Sequence, residues 1–183
     1  MLLANAGIAF EAIPADIDER AVQEASRLST PGEIAALLAR EKALGVSHAR
    51  PGRFVVGADQ TLALEHHLFT KPAGRAQASA QLRMLAGRSH EVHSAVAVAR
   101  DGKILFEDVA LARLTMRRIS DAEIASYLDE AGETVVTSSV GAYQLEGLGV
   151  HLFERIEGDH FTILGLPLLK LLGFLRQQGW LAR

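Results

Sequence analysis

Residues 54–72 read FVVGADQTLALEHHLFTKP, and they hold the first pair of side chains that could do chemistry. A short β-branched run closes in an acid, Asp59, followed by Gln60, and a lone lysine, Lys71, returns just before a proline. The FVV run has the character of a strand buried on both faces. Ligands of open α/β sheets sit beyond the carboxyl ends of such strands, where Asp59 stands. Asp59 either caps a turn or acts on such a ligand. If 61–64 and 68–70 pair about Glu65-His66-His67, a centre near residue 65 sets Asp59 opposite Lys71. At a surface that would be an ion pair of little worth. In a cleft it is the carboxylate and lysine that metal-assisted phosphoryl chemistry uses.

Lys42 is a third candidate. On the helix expected from Pro31, Ile34 and Leu38 mark an apolar stripe whose next member is Lys42. A lysine there either snorkels to water or points its ammonium into a cleft. Asp16, Asp18 and Glu19 cluster in PADIDER, and Glu146 lies in QLEGLG, whose glycines permit a tight turn near a ligand. Acidic loops are usually only solvated, and this Gly-x-Gly lacks the full dinucleotide fingerprint. The histidines, among them His66, His67, His90 and His93, form no zinc set; strand alternation puts His90 and His93 on opposite faces. They read as structural or solvent-facing. Neither a nucleophile elbow nor a Walker lysine loop occurs.

The elements that must carry these residues are partly legible. Thr30-Pro31-Gly32-Glu33 has capping-box spacing with proline at the first helical position, and Gly45 is expected to close that helix. Ser120-Asp121-Ala122-Glu123 opens a second helix that ends at Gly132. Residues 75–86 and 166–178 read as two more, and 1–6 as the tail of a helix ending at Gly7. Strands are expected at 10–13, 54–57, 92–99, 104–114, 149–156 and 161–164, with an Asp101-Gly102 hairpin between the third and fourth. Interleaved helices and strands with hairpins predict an α/β fold on a mixed twisted sheet flanked by helices.

Bulk composition narrows the setting. A chain of 183 residues is most simply one domain, with room for two lobes. With 49% apolar and 22% charged residues it is globular rather than disordered. A net charge of -3 argues against a nucleic-acid-coating surface but not against a small anion held by local cations. The absence of cysteine excludes disulfides, thiolate metal sites and a cysteine nucleophile, and suits a reducing compartment. The start MLLANAGIAF is no signal peptide, and ILGLPLLKLLGFL is too short and too interrupted to span a bilayer. A soluble cytoplasmic protein is expected, without nucleic-acid or membrane partners.

The ordered series GADQ…KP, LAGRSH, GAY…EGLG, IEGD and GLPL, together with Asp18-Glu19 and LAREKA, resembles the Maf family of nucleoside triphosphate pyrophosphatases along nearly the whole chain. The resemblance implies a Maf- and ITPase-like fold spanning residues 1–183. It also implies metal-dependent cleavage of a nucleoside triphosphate to the monophosphate and pyrophosphate. By matching position, Asp59 is the catalytic acid/base, Glu19 helps bind the cation (Mg²⁺ or Mn²⁺) or position the water, and Lys42 and Lys71 hold phosphates. Many members are homodimers, and the family is linked to clearing non-canonical nucleotides and to arrest of cell division. Gln60 after Asp59, and Glu146, resemble the branch acting on 7-methyl-GTP rather than the one acting on dTTP and UTP. A carboxylate suits the N1–H and N2–H₂ donors of guanine.

Two departures stand beside the match. Family members begin with a strand and a Ser-x-x-(Pro)-Arg-Arg loop, whereas this chain starts where the following helix ends; either its start codon is called too late or the domain is N-terminally truncated, and lowered triphosphate affinity is expected of a truncated one. A family lysine before Gly141-Ala142-Tyr143 is replaced by Ser139-Val140. The competing readings are a catalytically impaired nucleotide-binding regulator of cell division and, ranked lower, an inosine-triphosphate-type pyrophosphatase.

Overall fold

The computed structural model describes residues 2–181. In chain order it contains α1 (Leu2–Asn5), α2 (Glu19–Ser26), α3 (Pro31–Ala49), β1 (Val55–Leu64), β2 (His67–Phe69), α4 (Arg75–Leu85), β3 (Ser89–Arg100) and β4 (Lys103–Met116). Then follow α5 (Asp121–Ala131), α6 (Glu133–Ser138), β5 (Phe153–Glu157), α7 (His160–Ile163) and α8 (Leu168–Gln177). The expected α/β architecture is present: a sheet of order β2-β1-β3-β4-β5 flanked by helices. Its strands are antiparallel rather than mixed in direction: β2 folds back on β1 through a tight turn, and β5 returns antiparallel to β4 after the helical connection.

The chain gathers into two compact units. One comprises the residues as far as Gln60, His93–Leu111 and those from His160 onward; the other is Thr61–Val92 with Ala112–Asp159. In the first unit, period-two alternation along β3 sorts the core. Ala95, Ala97 and Ala99 pack against Ala35, Ala39 and Ala43 of α3. Val96 and Val98 pack against Leu168, Leu171, Phe174 and Leu175 of α8, with Phe54, Val56 and Ala58 alongside. Alanine on alanine lets α3 lie close to the sheet, and the bulky side supplies most of the apolar burial. The bidentate pair of Arg40 with Glu107, at 2.6 and 2.9 Å, fastens α3 to β4.

In the second unit, α5 starts at the expected capping box: Ser120 accepts from the Glu123 amide while the Glu123 carboxylate accepts from the Ser120 amide. The bonds its carboxylate accepts from the Ser120 amide, Arg117 and the Ser120 hydroxyl lower the Glu123 pKa to about 2. His90 is buried against Tyr143, with Nε2 at 2.7 Å from the phenol oxygen, and the Phe153 ring lies beside both. Burial alone pushes His90 down to about 4, so its ring is neutral, a structural histidine as expected.

Some elements differ from expectation. Residues 10–13 form no strand and Phe10 is exposed; four residues before a proline have no ladder to join. Residues 161–164 lie in and after helix α7 instead of a strand, since a short apolar run carries no period of its own. The stretch opening at 149 begins as a 3₁₀ turn, Leu148–Leu152, before β5. Helix α3 runs through Gly45 to Ala49, and Thr30 bonds the Glu33 carboxylate directly rather than capping a backbone amide. Met1, within the expected N-terminal helix tail, lies outside the described residues.

Candidate active site

Three of the residues singled out meet in the first unit. Helix α2 owes its start to Asp18, whose carboxylate accepts from the Ala21 amide at 3.0 Å, making Glu19 the first helical residue. Lys42 comes from α3, and Asp59 from β1. The Lys42 Nζ donates to Asp59 Oδ1 at 2.6 Å and lies 2.7 Å from Glu19 Oε1. The side chains are 22% exposed for Lys42, 10% for Asp59 and 53% for Glu19, so the cluster is shielded on the strand side and open on the helix α2 side. Burial lowers the Lys42 pKa, but the hydrogen bonds and attraction of Asp59 and Glu19 outweigh it, and the ammonium is held above its ordinary value.

Gly57 makes this approach feasible. A Cβ there would sit 2.2 Å from the Ala39 carbonyl oxygen and 2.6 Å from the Ala43 nitrogen. Only glycine lets β1 touch the α3 backbone one turn from Lys42.

Gln60 faces the other way, as strand alternation requires. Its Nε2 donates to Ser94 Oγ at 2.9 Å, the Ile163 carbonyl at 3.0 Å and the Thr162 carbonyl at 3.2 Å. Ser94 spends its own hydrogen on the Thr162 carbonyl at 2.6 Å, so it can only accept from Gln60. The amide orientation follows from this network: nitrogen toward α7, leaving only the carbonyl oxygen for any other partner. Ser94 and Thr162 are 0% and 1% exposed, and sequence reading passed over both. The signal available was a serine inside the apolar run of β3.

Lys71 and Glu146 belong to the second unit, and both are exposed. The β1–β2 ladder pairs Leu62 with Phe69, Ala63 with Leu68 and Leu64 with His67. That centre is half a residue beyond the one expected, and the ladder ends at Phe69, so it does not set Asp59 opposite Lys71. Glu146 lies in a loop closed by Gly149, where a Cβ would be 2.4 Å from the Gln144 carbonyl oxygen.

Two carboxylates facing one cation are donors that Mg²⁺ or Mn²⁺ accepts. Among the described residues no group of three or more His, Cys, Asp or Glu could hold a metal. Two carboxylates alone suit only a cation that takes the rest of its shell from water and phosphate oxygens.

The profile of the Maf family, described as "Maf-like protein", matches residues 1–178. The chain belongs to the Maf family. A Maf relative from Bradyrhizobium diazoefficiens, named nucleoside triphosphate pyrophosphatase, is 70% identical over 182 residues, covering 100% of this chain and 90% of that protein. One of the same name from Rhodopseudomonas palustris is 68% identical over 181 residues, covering 99% and 89%. A Rhizobium etli protein named 7-methyl-GTP pyrophosphatase is 51% identical over 181 residues, covering 98% and 90%.

Proposed function

We propose that the protein is a nucleoside triphosphate pyrophosphatase, hydrolysing its substrate between the α and β phosphates to the monophosphate and pyrophosphate. The observation that carries this reading is the Lys42 ammonium set between Asp59 and Glu19 at 2.6 and 2.7 Å. Phosphoryl chemistry needs little covalent help from a protein; positioned charge supplies most of the catalysis. Asp59, the most shielded of the three, is placed to take the proton of an attacking water. Glu19, on an open helix start, orients that water or shares a cation with Asp59. Lys42 has a third N–H for a phosphate oxygen, and Lys71 is a further phosphate contact by its motif position. A bound Mg²⁺ or Mn²⁺ on Asp59 and Glu19 would supply charge neutralisation and Lewis acidity.

For the base we favour 7-methylguanine. Glu146 offers an exposed carboxylate suited to a cationic methylated base and its N–H donors, and the relative at 51% identity carries the matching name. Gln60 is a base contact only through its carbonyl oxygen. A cytoplasmic setting is consistent with this reading; among the described residues no helix is long and apolar enough to cross a membrane.

The test is pyrophosphate release from 7-methyl-GTP, GTP, UTP and dTTP with Mg²⁺ or Mn²⁺, beside an Asp59→Asn control. Release from 7-methyl-GTP in preference to UTP is expected. No release above the control from any nucleotide would overturn the assignment.

A further inference from the structure

We propose that Lys42 is a resident stand-in for the divalent cation: in the free protein its ammonium holds Asp59 and Glu19 together, and it excludes free cations until a triphosphate draws it away. The inference rests on the pyrophosphatase reading and adds a residue role and a binding order to it.

Geometry comes first. Two of the three Lys42 N–H donors are spent on carboxylates from different elements, Asp59 of β1 and Glu19 of α2, both at charge-assisted hydrogen-bond distance. A purely phosphate-binding lysine would leave its ammonium clear of the acids that hold the cation. Here the ammonium occupies the place where those acids converge, so a cation and Lys42 compete for the same oxygens.

The donor set supplies the second argument. Without a third metal-ligating side chain nearby among the described residues, the two acids alone hold a hard cation weakly. A cation arriving bare must displace an ammonium and finds few ligands in return. A cation arriving on a triphosphate brings its own oxygens, and those oxygens are an alternative partner for the released Lys42. Both exchanges favour entry of cation and nucleotide as a unit.

Anchoring is the third. Gly57 against Ala39 and Ala43 fixes the backbone of α3 next to β1, so the lysine stem is tethered and only its flexible end needs to move. Lys42 is thereby both the bridge between the two acids and, with a triphosphate bound, a phosphate contact.

The experiment uses Mn²⁺ without nucleotide, read by electron paramagnetic resonance titration and by the Mn²⁺-dependent shift in Tm. Wild type is expected to bind Mn²⁺ weakly and to gain little Tm. Lys42→Met should bind it at least about tenfold more tightly and show the larger Tm rise, because the acids lose their internal cation. Lys42→Arg, which keeps the charge, should behave as wild type. The gain should vanish in Lys42→Met combined with Asp59→Asn. Lys42→Gln repeats the comparison if Lys42→Met does not fold. Equal Mn²⁺ affinity in wild type and the uncharged variants, or a gain that survives Asp59→Asn, would overturn the role assigned to Lys42. Either result would leave pyrophosphate release by the wild type to judge the enzyme assignment separately.

Discussion

On one side of β1 the Asp59 carboxylate meets charged partners and partial solvent; on the other, the Gln60 amide meets neutral acceptors inside closed packing. Adjacent residues thus serve opposite ends. The charged cluster is bridged by the Lys42 ammonium, and long ionic side chains such as Lys42 and Glu19 can be re-partnered. The amide network is saturated at its nitrogen, and Ser94 has nowhere else to send its hydrogen. A site that must exchange ligands uses long ionic side chains. A strand that must stay put uses a short neutral amide wedged between carbonyls.

The comparison can be broken first at the charged face. If Asp59 is the general base proposed above, Asp59→Asn should lower pyrophosphate release by about a thousandfold or more while leaving Tm within a few degrees, since a shielded base is lost and the fold is not. An equal loss of Tm and activity would mean that Asp59 serves the fold.

A buried neutral group in the second unit offers a sharper check on the neutral side. His90 titrates near 6.5 when unfolded and at about 4 when folded. The unfolded chain therefore takes up the proton first. The stability contributed by the neutral ring is complete above pH 6.5 and is lost as pH falls toward 4, by about 3 kcal/mol. Urea unfolding across that window should show the slope in wild type and not in His90→Gln.

Gln60→Leu should cost about 2 kcal/mol by stranding the Ile163 carbonyl, while the Thr162 carbonyl keeps its bond from Ser94. Thermal melting measures it, and activity should fall far less than in Asp59→Asn. If instead Gln60→Leu keeps its Tm and changes only nucleotide preference, Gln60 reads the base and does not brace the strand. Ser94→Ala should be the mildest, about 1 kcal/mol, because Gln60 keeps both carbonyl acceptors.

Legibility followed the range of the cause. Helix α5 was readable from its capping box and α3 from the proline at its first position, both acting within one turn, and the Asp101-Gly102 hairpin because its turn chemistry is local. Lys42 was visible as the i+4 member of a stripe, yet the stripe did not disclose that two carboxylates would meet it. Glu19 was assigned through the family motif; the Asp18 cap that orients it is a local signal that could have placed a helix at 19. Residues 161–164 misled because a run of β-branched and aromatic residues fits either a strand or a buried helical turn. The Gln60 network was beyond reach: its partners lie at 94, 162 and 163, and pairing over such separations leaves no periodic trace.

The close contact at Gly57 has a bearing on how this protein can change over time. Main chain rests on main chain there, so the spacing of Lys42 and Asp59 is a backbone dimension rather than the sum of core side-chain sizes. Leucines and valines around α8 can be exchanged for one another without retuning that spacing, and their drift is silent to the chemistry. A single methyl group at position 57 is not silent: it would lever the helix from the strand and part the lysine from the aspartate.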